Sequence, residues 1–498
     1  MFRPAWFSDR VSHGGAGAGS RHSAGAAELG LWLLLLTVGC GGHRPPLVLL
    51  TVDTLRADHL STYGYARATD PNLSRFAERA VIFSRAFTPR PKTTPAYASI
   101  FTGLYPYRHG LEVLGDELAS PNLTVAELLG QRGFRSYGFV SSTVMVGRLS
   151  GLQQGFSLWD DHLPSREASR DNFERKGAET VDRVIASMDR LGGGDLLFVH
   201  LIDPHGPYDA PPPFGSAFRG TTPPTREETR ALAPQQVPSF QRIPGARTLD
   251  DYVNAYDGEV LYADYCLGRL VEALEERGIF DEALVIVTAD HGESLGDHGH
   301  YFRHGQSLHE PSARVPLLIK PPGGRTEGVP TRWEGAVSLV DVFSTLLDYA
   351  GVTSPSGVDG QSLRPIVEGG RSGKGRVVFS TRRGGGWAAH GREGSVLASL
   401  CGRAAGGGGE LCGARFFDAS KDPGQVHPIS EGSLFLNLAD ELRRFVAAAS
   451  AFDLPFAVTR RYKPTDKGFV VDFMQQHNRR YRRLGRGDRR ALKALGYL

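Results

Sequence analysis

Three short apolar runs, each ending in an acidic residue, constrain the fold of this chain more than any other feature. They read "PPLVLLTVD", "DLLFVHLID" and "EALVIVTADHGE", and they end on Asp53, Asp203 and Asp290, with His291 following the last. A continuous apolar run, as opposed to an alternating one, is typical of a strand buried on both faces in a parallel sheet. Ligands bind at the carboxyl ends of such strands, so we expect the three acidic residues to converge on one site.

The segment between the last two runs predicts a helix. In "GEVLYADYCLGRLVEALEERG" the apolar residues recur near helical spacing, which gives the order strand, helix, strand and indicates an α/β fold. A chain of 498 residues exceeds what one hydrophobic core usually supports, so we expect a large domain and a smaller C-terminal part. The net charge of +3 is small for this length, and nothing indicates a nucleic-acid partner.

A second motif, "RPKTTPAYASIFTGLYPYRHG", predicts a short helix at a functional position. Thr93 and Thr94 precede Pro95, as an N-cap precedes a first turn, and Gly103 is placed to end the helix. The N-terminus of a helix presents free backbone NH groups and the positive end of the helix dipole. A threonine oxygen there would lie beside an anion site, although from these residues alone capping is the simpler role for Thr93.

Taken together, the motifs resemble the sulfatase family of the alkaline-phosphatase superfamily. The blocks "VLLTVDTLRADHLSTYGY", "TTPAYASIFTGLYPYRHG", "HLIDPHGPY", "VTADHGESLGDHG" and "RVPLLI" occur in the family's order. The resemblance implies an alkaline-phosphatase-like α/β/α sandwich with a mostly parallel central sheet and a smaller C-terminal subdomain. We assign a catalytic domain to residues 46–370, a subdomain with a small antiparallel sheet to 371–430, and a basic helical tail to 431–498.

The resemblance also implies a divalent metal site. Asp53, Asp290 and His291 match metal-binding positions of the family, and Thr54 stands where sulfatases usually have a second aspartate. The conservative assignment is one metal held by Asp53, Thr93, Asp290 and His291. The alternative adds a second metal bound by Asp203, His205 and His304. Zinc, manganese and calcium are the candidate metals, and the imidazole ligand favours zinc over calcium.

Thr93 departs from the family pattern in a way that changes the expected chemistry. It stands where sulfatases have the cysteine or serine that is modified to formylglycine, and threonine has no route to that aldehyde. We therefore expect a metal-bound threonine nucleophile that forms a covalent Thr-ester. His205 and His304 match residues that contact the substrate, and we assign them catalytic roles.

The expected activity is hydrolysis of sulfuric or phosphoric esters. The threonine nucleophile also fits a phosphoethanolamine-type phosphoryl-group transferase or a phosphodiesterase, as found elsewhere in the superfamily. A hypothesis from another class is a catalytically silent envelope protein that binds an anionic glycan or lipid. A complete metal-binding set argues against the silent protein, because binding alone does not need one.

The first 40 residues are predicted to be an export signal. Basic residues precede the apolar stretch "LGLWLLLLTVG", which is too short to span a bilayer and ends at Cys40. "TVGC" resembles the lipobox of bacterial lipoproteins, with Cys40 as the lipidated residue, and an ordinary cleaved signal is the alternative. We expect an exported protein on the periplasmic face of the envelope, anchored to the membrane through its lipid and acting on an anionic ester substrate.

The remaining cysteines, two basic residues near Thr93, a proline-rich stretch and the C-terminus also carry expectations. Cys266 is expected to be a buried thiol, and Cys401 and Cys412 are expected to form a local disulfide. Arg56 and Lys92 could neutralise an anionic substrate, with a structural ion pair as the alternative for Arg56. The proline-rich stretch 209–247 is expected to form the rim that selects substrate. The arginine-rich C-terminus predicts a solvated helix face, or a face lying against anionic lipid.

Overall fold

The computed structural model describes residues 44–167, 172–220, 230–370, 375–403, 409–463 and 467–482. The leader with Cys40 and residues 483–498 of the tail lie outside this range. Among the described helices, none combines the length and the apolar character needed to cross a membrane.

The strands are numbered in chain order. They are β1 (Leu47–Val52), β2 (Val81–Phe87), β3 (Asp116–Glu117), β4 (Ser136–Phe139), β5 (Leu158–Asp160), β6 (Ser165–Arg166), β7 (Phe173–Glu174), β8 (Leu196–Leu201), β9 (Leu284–Ala289), β10 (Ser294–Leu295), β11 (Tyr301–Arg303), β12 (Arg314–Val315), β13 (Leu317–Lys320), β14 (Arg332–Ser338), β15 (Val378–Arg382), β16 (Gly386–His390), β17 (Gly394–Arg403), β18 (Gly409–Asp418) and β19 (Thr459–Arg460).

The α-helices are numbered in the same way. They are α1 (Pro71–Ala77), α2 (Thr93–Thr102), α3 (Pro106–His109), α4 (Val125–Gly130), α5 (Gly147–Ser150), α6 (Gly177–Ile185), α7 (Leu249–Glu276), α8 (Ile279–Glu282), α9 (Glu310–Ala313), α10 (Val340–Tyr349), α11 (Arg364–Val367), α12 (Ser433–Ala451) and α13 (Lys467–Arg482).

A mixed, mostly parallel central sheet organises the chain. Its strand order is β12-β2-β13-β9-β1-β8-β4-β5, with β14 also paired to β2. Strand β1 lies between β8 and β9 and is parallel to both. Every residue of these three strands is buried, as the continuous apolar runs predicted. The reversed strand β13 separates β9 from β2.

Helices cover both faces of this sheet and give the predicted α/β/α sandwich. Helix α7 packs with α1, α6 and α8, and α2 packs with α4 and α10. Helix α2 ends at Gly103, which has a left-handed backbone with φ of 68°. A Cβ at Gly103 would lie 2.6 Å from the Phe343 ring on α10, so glycine allows both the helix end and the packing.

The smaller C-terminal subdomain is a four-stranded antiparallel sheet in the order β15-β16-β17-β18. Helix α12 packs on it through Leu438, Leu442 and Val446, which contact Val396 and Phe416 of the sheet. The sheet lies within the predicted range 371–430, although the exact domain boundaries stay predictions. Within the predicted helical tail 431–498, the described residues form helices α12 and α13, but the stretch between them is not helical and contains the short strand β19.

Two local expectations need correction, and one is confirmed. Helix α2 begins at Thr93 itself, with Lys92 at the N-cap position, so Thr93 does not act as the cap. Cys401 and Cys412 are free thiols on neighbouring strands, and the predicted disulfide is not formed. Cys266 is a buried free thiol, as predicted.

Buried neutral histidines give this fold a testable acid sensitivity. The His109 ring accepts a hydrogen bond from the Leu111 backbone NH (3.1 Å), and its Nε2 lies 3.0 Å from the Ser99 hydroxyl. Burial lowers the pKa of His109 from 6.5 to about 3, with Arg90 adding to the effect. Between these two pH values only the unfolded chain binds this proton, so stability falls as the pH falls through that window.

We expect His109→Gln to remove part of this pH dependence. Urea unfolding between pH 4 and 6 should show a smaller slope of unfolding free energy against pH, by about 1.4 kcal/mol per pH unit for one proton. Equal slopes in the unsubstituted protein and in His109→Gln would contradict the assignment.

Candidate active site

Two buried carboxylates lie side by side at the carboxyl edge of the central sheet. Asp53 follows β1 and Asp290 follows β9, and the register pairs Val52 with Ala289 directly before them. Asp53 is 1% exposed and Asp290 is fully buried. Burial, and then the charge of Asp53, raise the pKa of Asp290 well above its usual range, so this arrangement calls for positive charge.

The backbone around Asp290 donates hydrogen bonds to one of its two oxygens. Its Oδ1 accepts from the backbone NH of Thr54 at 3.3 Å and of His291 at 2.8 Å. Its Oδ2 is buried and accepts no hydrogen bond from any described residue. A buried carboxylate oxygen without a donor is costly, and a bound cation would remove that cost.

His291 presents one defined nitrogen to this pair. Its Nδ1 lies 2.9 Å from the carbonyl oxygen of Gly292, which can only accept, so Nδ1 carries the proton. The lone pair of Nε2 then faces the site, 3.3 Å from Asp290 Oδ2 and 3.9 Å from Asp53 Oδ1. A backbone carbonyl that fixes the tautomer in this way is typical of metal-ligating histidines.

Thr93, from helix α2, is the fourth member of this cluster. It is the first residue of α2 and is 3% exposed, and its Oγ1 lies 3.3 Å from His291 Nε2. This contact with His291 places the hydroxyl beside the carboxylate pair, at the N-terminus of α2.

The donor set suits a divalent cation. Asp53, Asp290 and His291 each offer a ligand atom within 4.8 Å of the others, and all three are buried. Two carboxylate oxygens and one imidazole nitrogen are ligands that zinc and manganese accept, and Thr93 lies within reach of the same point.

The structure does not bring the alternative metal set together. Asp203, His205 and His304 are all described, yet they do not form a group with ligand atoms within 4.8 Å. Asp203 is buried and accepts a hydrogen bond from the Gly177 NH at the start of α6 (2.8 Å). Its other oxygen lies 3.7 Å from Lys176 Nζ. The N-terminus of α6 and Lys176 therefore provide the partners of the Asp203 carboxylate. The strand pattern predicted that Asp203 would converge with Asp53 and Asp290, but it is not part of their cluster.

His205 and His304 instead lie together in the cavity that holds Thr93. Their ring centroids are 5.3 Å apart, and the His304 ring is 4.5 Å from that of His291. His304 Nδ1 lies 3.3 Å from the carboxylate of the buried Glu293. The cavity measures about 380 Å³, and Asp53, Thr93, His205, His304 and Glu293 are among its lining residues.

His200 is a site residue that the sequence reading missed. It is fully buried near the end of β8, and its Nδ1 accepts from the Ser141 backbone NH at 3.3 Å. Its Nε2 therefore carries the proton and donates to Asp53 Oδ2 at 3.3 Å. The one available signal was a histidine inside an otherwise apolar strand, "LLFVHL".

Thr54 holds a strained backbone beside the same carboxylates. Its φ of 55° is in the left-handed region, which a β-branched residue rarely adopts. Its NH donates to Asp290 and its carbonyl accepts from the Tyr256 hydroxyl at 2.8 Å, and these bonds hold the strained turn. The site therefore depends on the backbone of Thr54.

Arg56 takes the structural role that was left open for it. Its guanidinium is buried and pairs with Asp58 at 2.7 Å and with Asp297 at 2.6 Å. It also donates to the Glu293 carbonyl, so it orders the loop that follows Asp290. Lys92, by contrast, lines the cavity next to Thr93.

The fold and this cluster together define a class of protein. An α/β/α sandwich with paired aspartates at the ends of β1 and β9, facing a helix N-terminus, is the arrangement of ester hydrolases of the alkaline-phosphatase superfamily. Within that class the chain belongs to the sulfatase family, whose family model, described as "Sulfatase", matches residues 45–352. It is thus a sulfatase-type ester hydrolase.

Individual relatives are distant. An arylsulfatase of Clostridium perfringens is 25% identical over 380 residues, covering 65% of this chain and 79% of the relative. The multifunctional alkaline phosphatase superfamily protein PehA of Trinickia caryophylli is 28% identical over 404 residues, covering 66% and 78%. The structure of a phosphonate monoester hydrolase of Agrobacterium radiobacter superposes with a TM-score of 0.64 at 20% identity, covering 84% of this chain and all of that one.

We expect His200→Leu to weaken metal binding without removing a ligand. Loss of the donor to Asp53 Oδ2 should lower the affinity for zinc about ten- to a hundredfold, because partners behind the ligands orient them. Competition with a chromophoric chelator measures that affinity. His109→Leu, at a buried histidine outside the cluster, is the matched control and should bind zinc normally; a similar loss there would attribute the effect to general destabilisation.

Proposed function

We propose that this chain is a metal-dependent hydrolase of sulfuric or phosphoric esters that uses Thr93 as its nucleophile. The observation that carries the proposal is the 3.3 Å approach of Thr93 Oγ1 to His291 Nε2, beside two buried aspartates. Thr93 also lines the cavity where substrate would enter.

Asp53, Asp290 and His291 would hold the divalent cation, with Thr93 as a further oxygen ligand. A cation bound there would lower the pKa of the Thr93 hydroxyl and balance negative charge on the ester. Without it, two neighbouring buried carboxylates would repel both an alkoxide and an anionic substrate.

The residues of this chain then account for the first displacement. Once its hydroxyl proton has passed to solvent, Thr93 Oγ1 attacks the sulfur or phosphorus atom in line with the ester oxygen, so that one bond to the central atom forms as the other breaks. Lys92, together with the NH groups at the start of α2, balances the charge on the non-bridging oxygens.

His304 and Glu293 provide the proton for the leaving alcohol. Glu293 accepts the Nδ1 proton of His304, which leaves Nε2 as the nitrogen that exchanges protons with substrate. For this first displacement His304 carries a proton on both ring nitrogens, and the leaving oxygen takes the one on Nε2. Water then attacks the covalent Thr-ester, Thr93 Oγ leaves, and His304 recovers a proton from that water.

The nucleophile favours phosphoric over sulfuric esters. A formylglycine hydrate expels sulfate by re-forming a carbonyl, whereas a threonine ester must be cleaved by attack at the central atom. PehA, a relative named as multifunctional within the alkaline phosphatase superfamily, supports a broad ester range. Transfer to an acceptor other than water, as in a phosphoethanolamine-type transferase, would use the same Thr-ester.

We expect Thr93→Ala to lower kcat/KM about a thousandfold or more for the preferred substrate, because it removes the attacking atom. An aryl sulfate, an aryl phosphate and an aryl phosphodiester should be compared with zinc, manganese or calcium added, and the phosphoesters should react faster. Thr102→Val is the matched control. That hydroxyl, at the end of the same helix, donates to the Ala98 carbonyl and accepts from the Leu104 backbone NH, and its loss should leave kcat/KM within about twofold.

Other outcomes separate the hypotheses. Turnover that survives Thr93→Ala would contradict the assignment of Thr93 as the nucleophile. Turnover that survives exhaustive chelation would contradict the proposed metal dependence. A protein that hydrolyses none of the three esters with any metal would support the silent binding protein. Mass spectrometry of acid-quenched enzyme should find the covalent adduct on the peptide that contains Thr93.

We also propose that the chain is a lipoprotein exported to the periplasmic face of the envelope and lipidated at Cys40. The lipobox-like "TVGC" supports this, as does the first strand of the fold, which begins only a few residues later at Leu47. Cys40→Ser should move the protein from the membrane fraction to the soluble periplasmic fraction on cell fractionation. Cys266→Ser, at a buried thiol, is the control, and an unchanged distribution for Cys40→Ser would refute the anchor.

A further inference from the structure

The C-terminal segment, taken as the described residues 459–463 and 467–478, forms part of the wall of the active-site cavity. Tyr462, just after β19, and Val470, on α13, line the same cavity as Thr93 and His304. Both side chains are largely buried, at 9% and 6% exposure. The catalytic residues all come from the first 304 residues, so this wall is supplied by a distant part of the chain.

Backbone pairing and ion pairs fix the first half of this segment. Strand β19 pairs antiparallel with β3, with Arg460 opposite Asp116. Arg460 also forms an ion pair with Asp116 at 2.8 Å, and Arg461 forms one with Glu117. The NH of Arg461 donates to the Gly115 carbonyl at 2.7 Å, which places Tyr462 beside the cavity.

Helix α13 is fixed at the other end. His477 Nε2 lies 3.0 Å from Asp161 Oδ1, and the Asn478 amide donates to the Leu163 carbonyl at 2.8 Å. Between these anchors Tyr462, Val470 and Met474 form a separate hydrophobic cluster with residues of the catalytic domain, namely Val146, Leu149, Leu163 and Phe173. The segment is therefore a packed wall of the cavity.

Charge is distributed unevenly around the cavity. The charged lining residues are Asp53, Lys92, Glu293 and Arg303, and each is a site residue or lies within two positions of one. The described lining residues that come from other elements carry no ionisable charge at neutral pH: Leu114, Ser142, Thr143, Val144, Asn172, Phe240, Tyr462 and Val470. The cavity lining thus combines charged residues at the reaction centre with an uncharged set from other elements, in which five of the eight residues are apolar or aromatic.

This division identifies the class of substrate. We propose, building on the proposed hydrolase activity, that Tyr462 and Val470 determine specificity for esters whose organic group is uncharged and apolar, about the size of one aromatic ring. A volume of about 380 Å³ is at the small end for ligand cavities, and the anionic head must share it. A multiply sulfated glycan would place further negative charge against a wall whose described lining residues include no cation.

Paired esters test the wall directly. The esters are those of sulfuric or of phosphoric acid, whichever the enzyme hydrolyses faster. For that acid, kcat/KM is measured with a phenyl ester, a methyl ester and a sulfated or phosphorylated disaccharide. The ratio of each variant to the unsubstituted enzyme cancels the intrinsic reactivity of each ester. Val470→Ala and Tyr462→Ala should lower kcat/KM about tenfold for the phenyl ester and about twofold or less for the methyl ester.

Conservative variants guard against a folding defect. Val470→Thr keeps the shape of the side chain but replaces a methyl group with a hydroxyl. It should lower kcat/KM for the phenyl ester more than for the methyl ester, as Val470→Ala should. Tyr462→Phe keeps the ring and should retain the phenyl preference. Asp472→Ala, at an exposed position on the same helix, should leave kcat/KM unchanged for both esters.

The outcomes distinguish this inference from the proposed activity. Equal loss on both esters in Val470→Thr, or a preference of the unsubstituted enzyme for the disaccharide, would overturn the specificity role even if Thr93→Ala is inactive. Turnover independent of Thr93 would overturn the proposed mechanism instead, whatever the wall variants do.

Discussion

The placement of two carboxylates side by side in a buried position is the constraint on which this structure depends. Asp53 and Asp290 follow neighbouring parallel strands in register, so the β1–β9 pairing alone forces them together. The surroundings offset this cost in part: His200 donates to one carboxylate, and the NH groups of Thr54 and His291 donate to the other. The remaining negative charge on these two buried side chains makes a cation the natural counterpart.

Local strain and buried ion pairs follow from the same constraint. The strained turn at Thr54 is needed because its NH must point back at Asp290 immediately after the strand ends. Arg56, two residues later, pairs with Asp58 and Asp297 and so ties this turn to the loop that carries Glu293. A change in either loop would therefore alter the carboxylate pair as well, which links the order of these loops to the chemistry of the site.

Much of the fold could be predicted from the sequence, because strands buried on both faces leave an unmistakable apolar run. The adjacency of Asp53 and Asp290 follows from those runs. The direction of Asp203 does not, since a helix start at Gly177 and Lys176 compete for its carboxylate. His200 was read as part of an apolar strand, because a single histidine there has no local signal of its partner. The pairing of β19 with β3 joins residues 344 positions apart, and no short motif encodes it.

The reaction centre and the uncharged wall of the cavity require different degrees of structural precision. The reaction centre needs atoms held to a fraction of an ångström, and it is built on strand ends and on the first turn of α2, where regular secondary structure positions the side chains. The apolar wall needs only shape and the absence of charge, and a segment joined late in the chain can supply it. Substitution in that segment can therefore change which ester fits without disturbing Asp53, Thr93 or Asp290, because its contacts are with β3, α5 and the loop after β5. This separation allows one ester chemistry to serve different substrates.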